Sequence, residues 1–173
     1  MYHFGVGVFF LSLFFAATQP RSFLPAHALS TMQTYQSHTY EDNQLASILI
    51  AINKARRVHN LPELHANSAL TTVANARAQD MQRNKYYAHL SPVSNQMYYD
   101  SLEQQGMRAG YSCENLDLSL STNPDSYVRD WLDSNKGHKD CLLHESISQI
   151  GLAVTTVNLD GTNKQLVVAI HKE

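Results

Sequence analysis

The feature that most constrains this chain is a change of hydrophobic period towards its end. In the first half, Leu45, Ile48, Leu49, Ile52 and Ala55 recur at spacings of three and four. That spacing gathers them on one side of a helix, expected from about Asp42 to His59 and ended by Asn60-Leu61-Pro62, because the residue before a proline avoids the helical region. A second helix follows from the N-cap Asn67 through Leu70, Val73, Ala74, Ala78 and Met81. After a loop at Tyr86–Pro92, a short helix from about Asn95 to Gln105 stops at Gly106. Asn123-Pro124 opens another, with Val128, Trp131 and Leu132 as its buried side and Gly137 at its end. Then the period becomes two. Ile150, Leu152, Val154 and Thr156 fall on one side of a strand, and Gly151, Ala153 and Thr155 on the other. Asp160-Gly161 is a hairpin turn signal, and Gln165 to His171 forms the return strand. Four helices before an antiparallel hairpin define an α+β domain with helices packed on the sheet.

The first residues read differently. Met1-Tyr2-His3 precedes an apolar run from Phe4 to Ala17, too short to span a bilayer comfortably and suited to the core of a secretory signal. No Lys or Arg precedes the run, which departs from the usual pattern. Ala26-His27-Ala28 and Ala16-Ala17 compete as cleavage sites. The expected division is a signal peptide at 1–28, a polar linker at 29–41 without helical or alternating pattern, and one folded domain at 42–173. After removal of 1–28, all 15 acidic and 12 of the 13 basic residues remain, a formal charge of −3 with no transmembrane span expected. No basic stripe is present, so nucleic acid is not an expected partner. The pair Arg56-Arg57 reads as the solvated face of a helix. Two cysteines remain, Cys113 and Cys141. In an exported chain such a pair suggests a disulfide; in a cytosolic enzyme it would suggest chemistry.

His89, Glu114 and His138 each sit at an expected break between elements, beside Pro92, Asn115 and Gly137. Imidazoles and carboxylates held on loops by rigid elements are a common way to assemble a site. Two neutral imidazoles can bind a divalent metal with positions left open, and a carboxylate can orient an imidazole or act as a general base.

Ordered motifs add to this. Asn53-Lys54-Ala55-Arg56 with Leu61-Pro62-Glu63-Leu64, His89-Leu90-Ser91-Pro92, Cys113-Glu114-Asn115-Leu116, Trp131-Leu132-Asp133-Ser134 with Gly137-His138-Lys139, and Gly151-Leu152-Ala153-Val154 follow one another across 42–173. In order and spacing they resemble the CAP superfamily (cysteine-rich secretory proteins, antigen 5 and pathogenesis-related class 1 proteins), in its short bacterial-type form. The resemblance implies a three-layer α-β-α sandwich with a small, mainly antiparallel sheet. It also implies a cleft holding two His and two acidic residues. His89, Glu114 and His138 match three of them. Asp100 stands at the place of the fourth, with Glu103 as fallback. Cys141 departs from the family, which commonly has Asn there. Because Cys113 directly precedes the cleft glutamate, both cysteines should lie near the site, and a Cys113–Cys141 bridge is expected to fasten the Glu114 loop to the His138 loop. A free thiol pair joining a metal site is the alternative.

The bland readings stand beside these. Trp131 is expected as a core anchor, and Asn115 as a partner of backbone. Ser91 invites a nucleophile reading, but Ser-Pro is an ordinary turn opener. His3, His27, His38, His59, His65, His144 and His171 match no motif and are expected at the surface. Even the cleft residues could simply form a hydrogen-bonded network that fixes loops. Two functions remain in view. One is a secreted, monomeric binding module for an extracellular or envelope ligand, with Zn²⁺ or another divalent ion at His89 and His138. The other is a metal-dependent hydrolase of peptide or ester bonds, with Glu114 as the candidate catalytic base.

Overall fold

The computed structural model describes residues 26–173. The chain separates into two compact units, Met1–Tyr35 and Gln36–Glu173. The apolar run Phe4–Ala17 and the cleavage site at Ala16-Ala17 lie outside the described residues. Among the described residues no helix is long and apolar enough to cross a membrane.

The elements, in order, are α1 (Ala26–Val58), β1 (His65–Ala66), α2 (Ser68–Asn84), α3 (Tyr98–Gln104), β2 (Ser112–Ser119), α4 (Pro124–Leu132), α5 (His138–Leu142), β3 (Gln149–Leu159) and β4 (Thr162–Lys172). The first helix therefore takes in the segment expected as an unpatterned linker at 29–41, which is helical. The expectation rested on an apolar stripe, which a helix does not always carry. What the segment does lack is any Gly or Pro to stop a helix.

The sheet has the order β1-β3-β4-β2, with β1 parallel to β3 and the other pairs antiparallel. Strands β3 and β4 meet at Asp160-Gly161, where both residues have positive φ (54° and 77°), as the tight hairpin turn requires. Alternate residues of β4 enter two separate cores. Leu166, Val168 and Ile170 pack with Leu70, Val73, Ala74, Ala78 and Met81 of α2 and Leu102 of α3. Val167 and Ala169 pack with Ile48, Ala51 and Ile52 of α1, Tyr127, Val128 and Trp131 of α4 and Leu142 of α5. Successive strand residues point to opposite faces, so helices cover both sides of one sheet. Gly151 of β3 is where α2 comes closest. A Cβ there would lie 2.0 Å from the Leu70 carbonyl carbon and 2.3 Å from the Thr71 nitrogen, both backbone atoms.

Three boundaries differ from expectation. α3 starts at Tyr98, not Asn95. α4 ends at Leu132, and Gly137 (φ 89°) opens the separate helix α5 instead of closing α4. β2 was not expected at all. Its polar residues Cys113, Asn115 and Asp117 interrupt any apolar alternation, yet they share one face opposite His171, Ala169 and Val167 of β4.

A further correction concerns Arg56. It is not solvated but fully buried, and it donates to four carbonyls: Pro62 (2.9 Å), Leu142 (2.8 Å), His144 (3.2 Å) and Ile147 (3.3 Å). Its neighbour Arg57 is exposed, in an ion pair with Glu63. Asn53, one turn earlier, exchanges two hydrogen bonds with the backbone of Leu64. Together they fasten the turn after α1.

Candidate functional site: an imidazole pair held by a buried arginine

The site begins with the register of β2. Glu114 lies opposite Ile170, in line with Leu116 and Leu118, so its side chain falls on the α2 face of the sheet. Glu114 thus sits within a strand, not at a break between elements as its sequence neighbours suggest. Its side chain has no solvent exposure. A buried carboxylate needs a partner, and α2 supplies one. Arg77 lies on the stripe of Val73, Ala74, Ala78 and Met81, and its Nε donates to Glu114 Oε1 at 3.0 Å. Burial works against the charged guanidinium. The carboxylate of Glu114 and the phenol of Tyr86 outweigh it and hold Arg77 above its ordinary range.

Arg77 also orders the loop that carries His89. Asn67 caps the start of α2 by accepting from Ala69 N and Leu70 N, and Lys85 (φ 54°) turns the chain at its end. The following residues then fold back over the guanidinium. Nη1 donates to the Tyr86 hydroxyl (3.2 Å), and Nη2 donates to the carbonyls of Ala88 (2.9 Å) and His89 (2.7 Å). The Tyr86 hydroxyl donates in turn to Asp80. Burial pushes the Asp80 carboxyl up. Hydrogen bonds from Tyr86, Ser91 and Asn84 and the charge of Arg77 outweigh that and hold it low. Ser91 is 1% exposed, and its hydroxyl accepts from Val93 N and Ser94 N in the turn, so it is a turn residue with no access for a substrate.

With its backbone held, His89 directs Nδ1 at Glu114 Oε2, 2.7 Å away. An ionised carboxylate only accepts, so Nδ1 carries a proton, and in the neutral ring it is Nε2 that keeps the lone pair. The imidazole is 41% exposed while its carboxylate partner is fully covered. The ring of His138 lies 5.9 Å from that of His89, centroid to centroid, tilted by 54°. Burial first, then repulsion from His89 in its protonated form and from Lys136, lowers the His138 pKa, which favours the neutral ring.

His138 is the first residue of α5, and two ties hold that helix to β2. The amide of Asn115 donates to the His138 carbonyl at 3.0 Å. Cys113 and Cys141 form a disulfide across a Cα–Cα distance of 5.9 Å. The bridge therefore joins the strand of Glu114 to the helix of His138, and among the described residues no thiol is free. Trp131 is 1% exposed and donates its indole N–H to the Leu116 carbonyl (3.0 Å), which lays α4 along the same strand.

Asp100 is placed otherwise. Its carboxylate accepts from Met97 N at 2.7 Å and closes the first turn of α3. Among the described residues no hydrogen bond joins it to His89, Glu114 or His138. The fallback Glu103 pairs with Arg108 at the surface (2.7 Å). Three of the four expected cleft residues are thus brought together, and Arg77 takes the place beside them. The signal for Arg77 was its position, a charge on the apolar stripe of α2.

The expected surface histidines divide. His59 and His65 are exposed, and His144 stacks on Tyr111 at 3.7 Å. His171 is fully buried with neither ring nitrogen hydrogen-bonded, because its place on β4 continues the Val167–Ala169 face into the core. Burial, then the charge of Arg56, pushes its pKa down to about 3. His3 lies outside the described residues, and the side chains of His27 and His38 are not among those described.

Among the described residues no set of three or more His, Cys, Asp or Glu side chains gathers as a metal centre. The two imidazoles still have a spacing that suits a shared ion. With metal–nitrogen bonds of about 2.0 Å and a near-tetrahedral angle, two ligating rings have centroids ~5–6 Å apart.

Residues 49–169 match the cysteine-rich secretory protein (CAP) family. The uncharacterized protein YkwD of Bacillus subtilis is 26% identical over 128 residues, covering 74% of this chain and 49% of that protein. The uncharacterized membrane protein YlbC of the same organism is 29% identical over 107 residues, covering 62% of this chain and 30% of that protein. The chain thus spans about half the length of the first relative and under a third of the second. An outer surface protein from Borrelia burgdorferi superposes with a TM-score of 0.62 at 19% identity, covering 76% of this chain and 93% of its own. An extracellular protein containing an SCP domain from Bacillus anthracis gives 0.62 at 24% identity, covering 77% of this chain and 41% of its own. At these identities the structural likeness is one of fold. The family match, spanning most of the chain, goes further: this protein belongs to the cysteine-rich secretory protein (CAP) family.

Proposed function

We propose that the protein is an exported binding module whose His89–His138 pair takes a divalent ion, Zn²⁺ or similar, and through it an extracellular or envelope ligand. The observation that supports this reading is the 2.7 Å contact of His89 Nδ1 with Glu114 Oε2. A carboxylate on one ring nitrogen fixes the tautomer and raises the basicity of the other, which is the usual arrangement behind a metal-binding histidine. Two protein ligands leave coordination positions for water or for donor atoms of the ligand. Such an ion would supply Lewis acidity at the pair. The chain itself holds His89 through Arg77 and Glu114, and His138 through Asn115 and the disulfide.

The hydrolase alternative needs Glu114 as a base. Both of its oxygens are taken, one by Arg77 and one by His89, and its side chain is closed to solvent. A base must reach the proton it abstracts, so the observations favour binding over turnover. Elemental analysis of tag-free protein, before and after chelation, tests the reading. About one equivalent of metal, lost in His89→Ala and His138→Ala, is the expected result. Metal content unchanged by both substitutions would overturn it.

A further inference from the structure

The two outer edges of the sheet are finished differently. Along β2, the Trp131 indole donates to the Leu116 carbonyl, and two acids, Glu114 and Asp117, are buried within the strand. Inward-pointing charges and covering groups of this kind keep a strand edge from pairing with another chain. At the other edge, β1 pairs only with Gln149 and Ile150, the first two of the eleven residues of β3. β3 carries no charged residue and no proline.

The register shows which groups this leaves open. Asn67 N donates to the Ile150 carbonyl, so the even-numbered residues of β3 turn their backbone groups away from β4. Beyond Ile150, the Thr156 carbonyl accepts from the side chain of Gln82. The outward N–H and C=O of Leu152 and Val154 have no hydrogen-bond partner among the described residues. A row of open donors and acceptors on a strand edge fits one kind of partner, another extended backbone.

A groove adjoins the same residues. Leu45, Ala46 and Leu49 of α1, Thr71 of α2, and Ile150 and Leu152 of β3 line a cavity of about 250 Å³, which borders the end of β1 at Ala66. Its side chains are apolar apart from Thr71, whose hydroxyl is committed to the Asn67 carbonyl. Alternate side chains of a strand laid against Leu152 and Val154 would point to this side. Glu41 and Asp42, one helical turn before Leu45 and Ala46, are exposed, and α1 has no Lys or Arg before Lys54. The α1 wall of the groove is therefore acidic. A second copy of the chain would bring the α1 and α2 of its own edge against those of the first, whereas a lone strand brings none.

We propose that the β3 edge beyond β1 takes up an extended segment of a partner protein as a strand in line with β1, with an apolar side chain in the groove and a basic residue beside Glu41 and Asp42. This surface lies at the opposite edge of the sheet from β2 and does not depend on the imidazole pair.

Titration of the ¹⁵N-labelled full chain with the peptide acetyl-Lys-Lys-Val-Thr-Val-Thr-Val-amide tests the proposal. Amide shifts should gather at Leu152, Val154 and Thr156 and at residues 45–49, and hydrogen exchange at Leu152 and Val154 should slow by about tenfold. Two versions of the peptide, N-methylated at alternate residues so that each blocks one edge, separate strand pairing from apolar adhesion. One should bind as the parent does, and the other should lose about tenfold or more in affinity. Ala46→Arg, at an exposed helix position, should fold normally but fill the groove and weaken the parent peptide to a similar degree. Equal binding of both methylated peptides, shifts that lie elsewhere, or no shift at about 1 mM peptide would overturn the proposal. Protection of Leu152 and Val154 that rises with protein concentration, without peptide, would also overturn it and assign the edge to a second copy.

Discussion

Two buried arginines, one on each side of the sheet, do superficially similar work with opposite chemistry. Arg56 of α1 gives its donors to four carbonyls, two of which, Leu142 and His144, lie at the end of α5. Arg77 of α2 gives one donor to a carboxylate and others to the loop that carries His89. Each thereby fastens the segment bearing one imidazole. Only Arg77 also sets the charge next to its imidazole. Arg56 has no acidic partner, and burial lowers its pKa. The Arg56 side is therefore scaffold, while the Arg77 side joins scaffold to site. A histidine pair can be built with one member held by geometry alone and the other held by geometry and charge together.

The largest way to break this comparison is at Arg56. Arg56→Met leaves four carbonyls, two of them buried and two partly so, without this donor and should cost on the order of 5 kcal/mol, enough to unfold many domains of this size. Urea titration with intrinsic fluorescence from Trp131 reads it directly. A loss below about 1 kcal/mol would show that water replaces the guanidinium and that the scaffold does not need it.

The same side should also be acid-sensitive. His171 is neutral in the folded protein down to about pH 3 but titrates near 6.5 once unfolded. The unfolded state therefore binds more protons in that window. Stability from this group is complete above pH 6.5 and declines as pH falls towards 3, by up to about 4 kcal/mol. Asp117 works in the opposite sense. Its carboxyl, raised to about 6, favours folding below pH 4 and loses that contribution as pH rises through 6. Denaturant midpoints from pH 7 to pH 4 should fall more steeply for the wild type than for His171→Leu. Parallel profiles would remove His171 as the cause.

Smaller again is the disulfide. Opening a bridge between residues 28 apart should cost about 3 kcal/mol. In a Cys113→Ala, Cys141→Ala variant the His138 end of α5 should exchange its amide hydrogens faster than α2 does. Uniform loss of protection across both would mean that the bridge supports the whole fold rather than one half of the site. The smallest effect sharpens the comparison. A double-mutant cycle of Arg77→Met and Glu114→Gln should give a coupling of about 2 kcal/mol. The same cycle built on Arg56 and Glu114 should give nearly none, since the two lie on opposite sides of the sheet.

What was legible in the sequence follows from period. The stripes of α1 and α2, the caps Asn67 and Asn123, and the Asp160-Gly161 hairpin are local signals, and each formed where its residues indicate. β2 is the counterexample. One of its faces is made of Cys113, Asn115 and Asp117, and it is tied to α5 by a disulfide and a hydrogen bond to a carbonyl rather than by apolar side chains. No propensity marks such a strand. Arg56 and Arg77 were legible in principle. Arg56 falls four residues after Ile52, and Arg77 four after Val73, each inside an apolar stripe where a charge has to be buried with partners. Of the site, His89, Glu114 and His138 were found by motif order. Asp100 was placed by the resemblance alone, and its carboxylate accepts from the Met97 N–H of its own helix.

The central claim is that Glu114, held by Arg77, fixes the proton of His89 on Nδ1 and leaves Nε2 to share an ion with His138. Long-range ¹H–¹⁵N correlation of the histidine side chains, with and without Zn²⁺, tests it most directly. The account predicts His89 as the Nδ1–H tautomer in free protein, with its Nε2 and one nitrogen of His138 shifting together as Zn²⁺ is added. An Nε2–H tautomer at His89, or Zn²⁺ that leaves both rings unmoved, would contradict it.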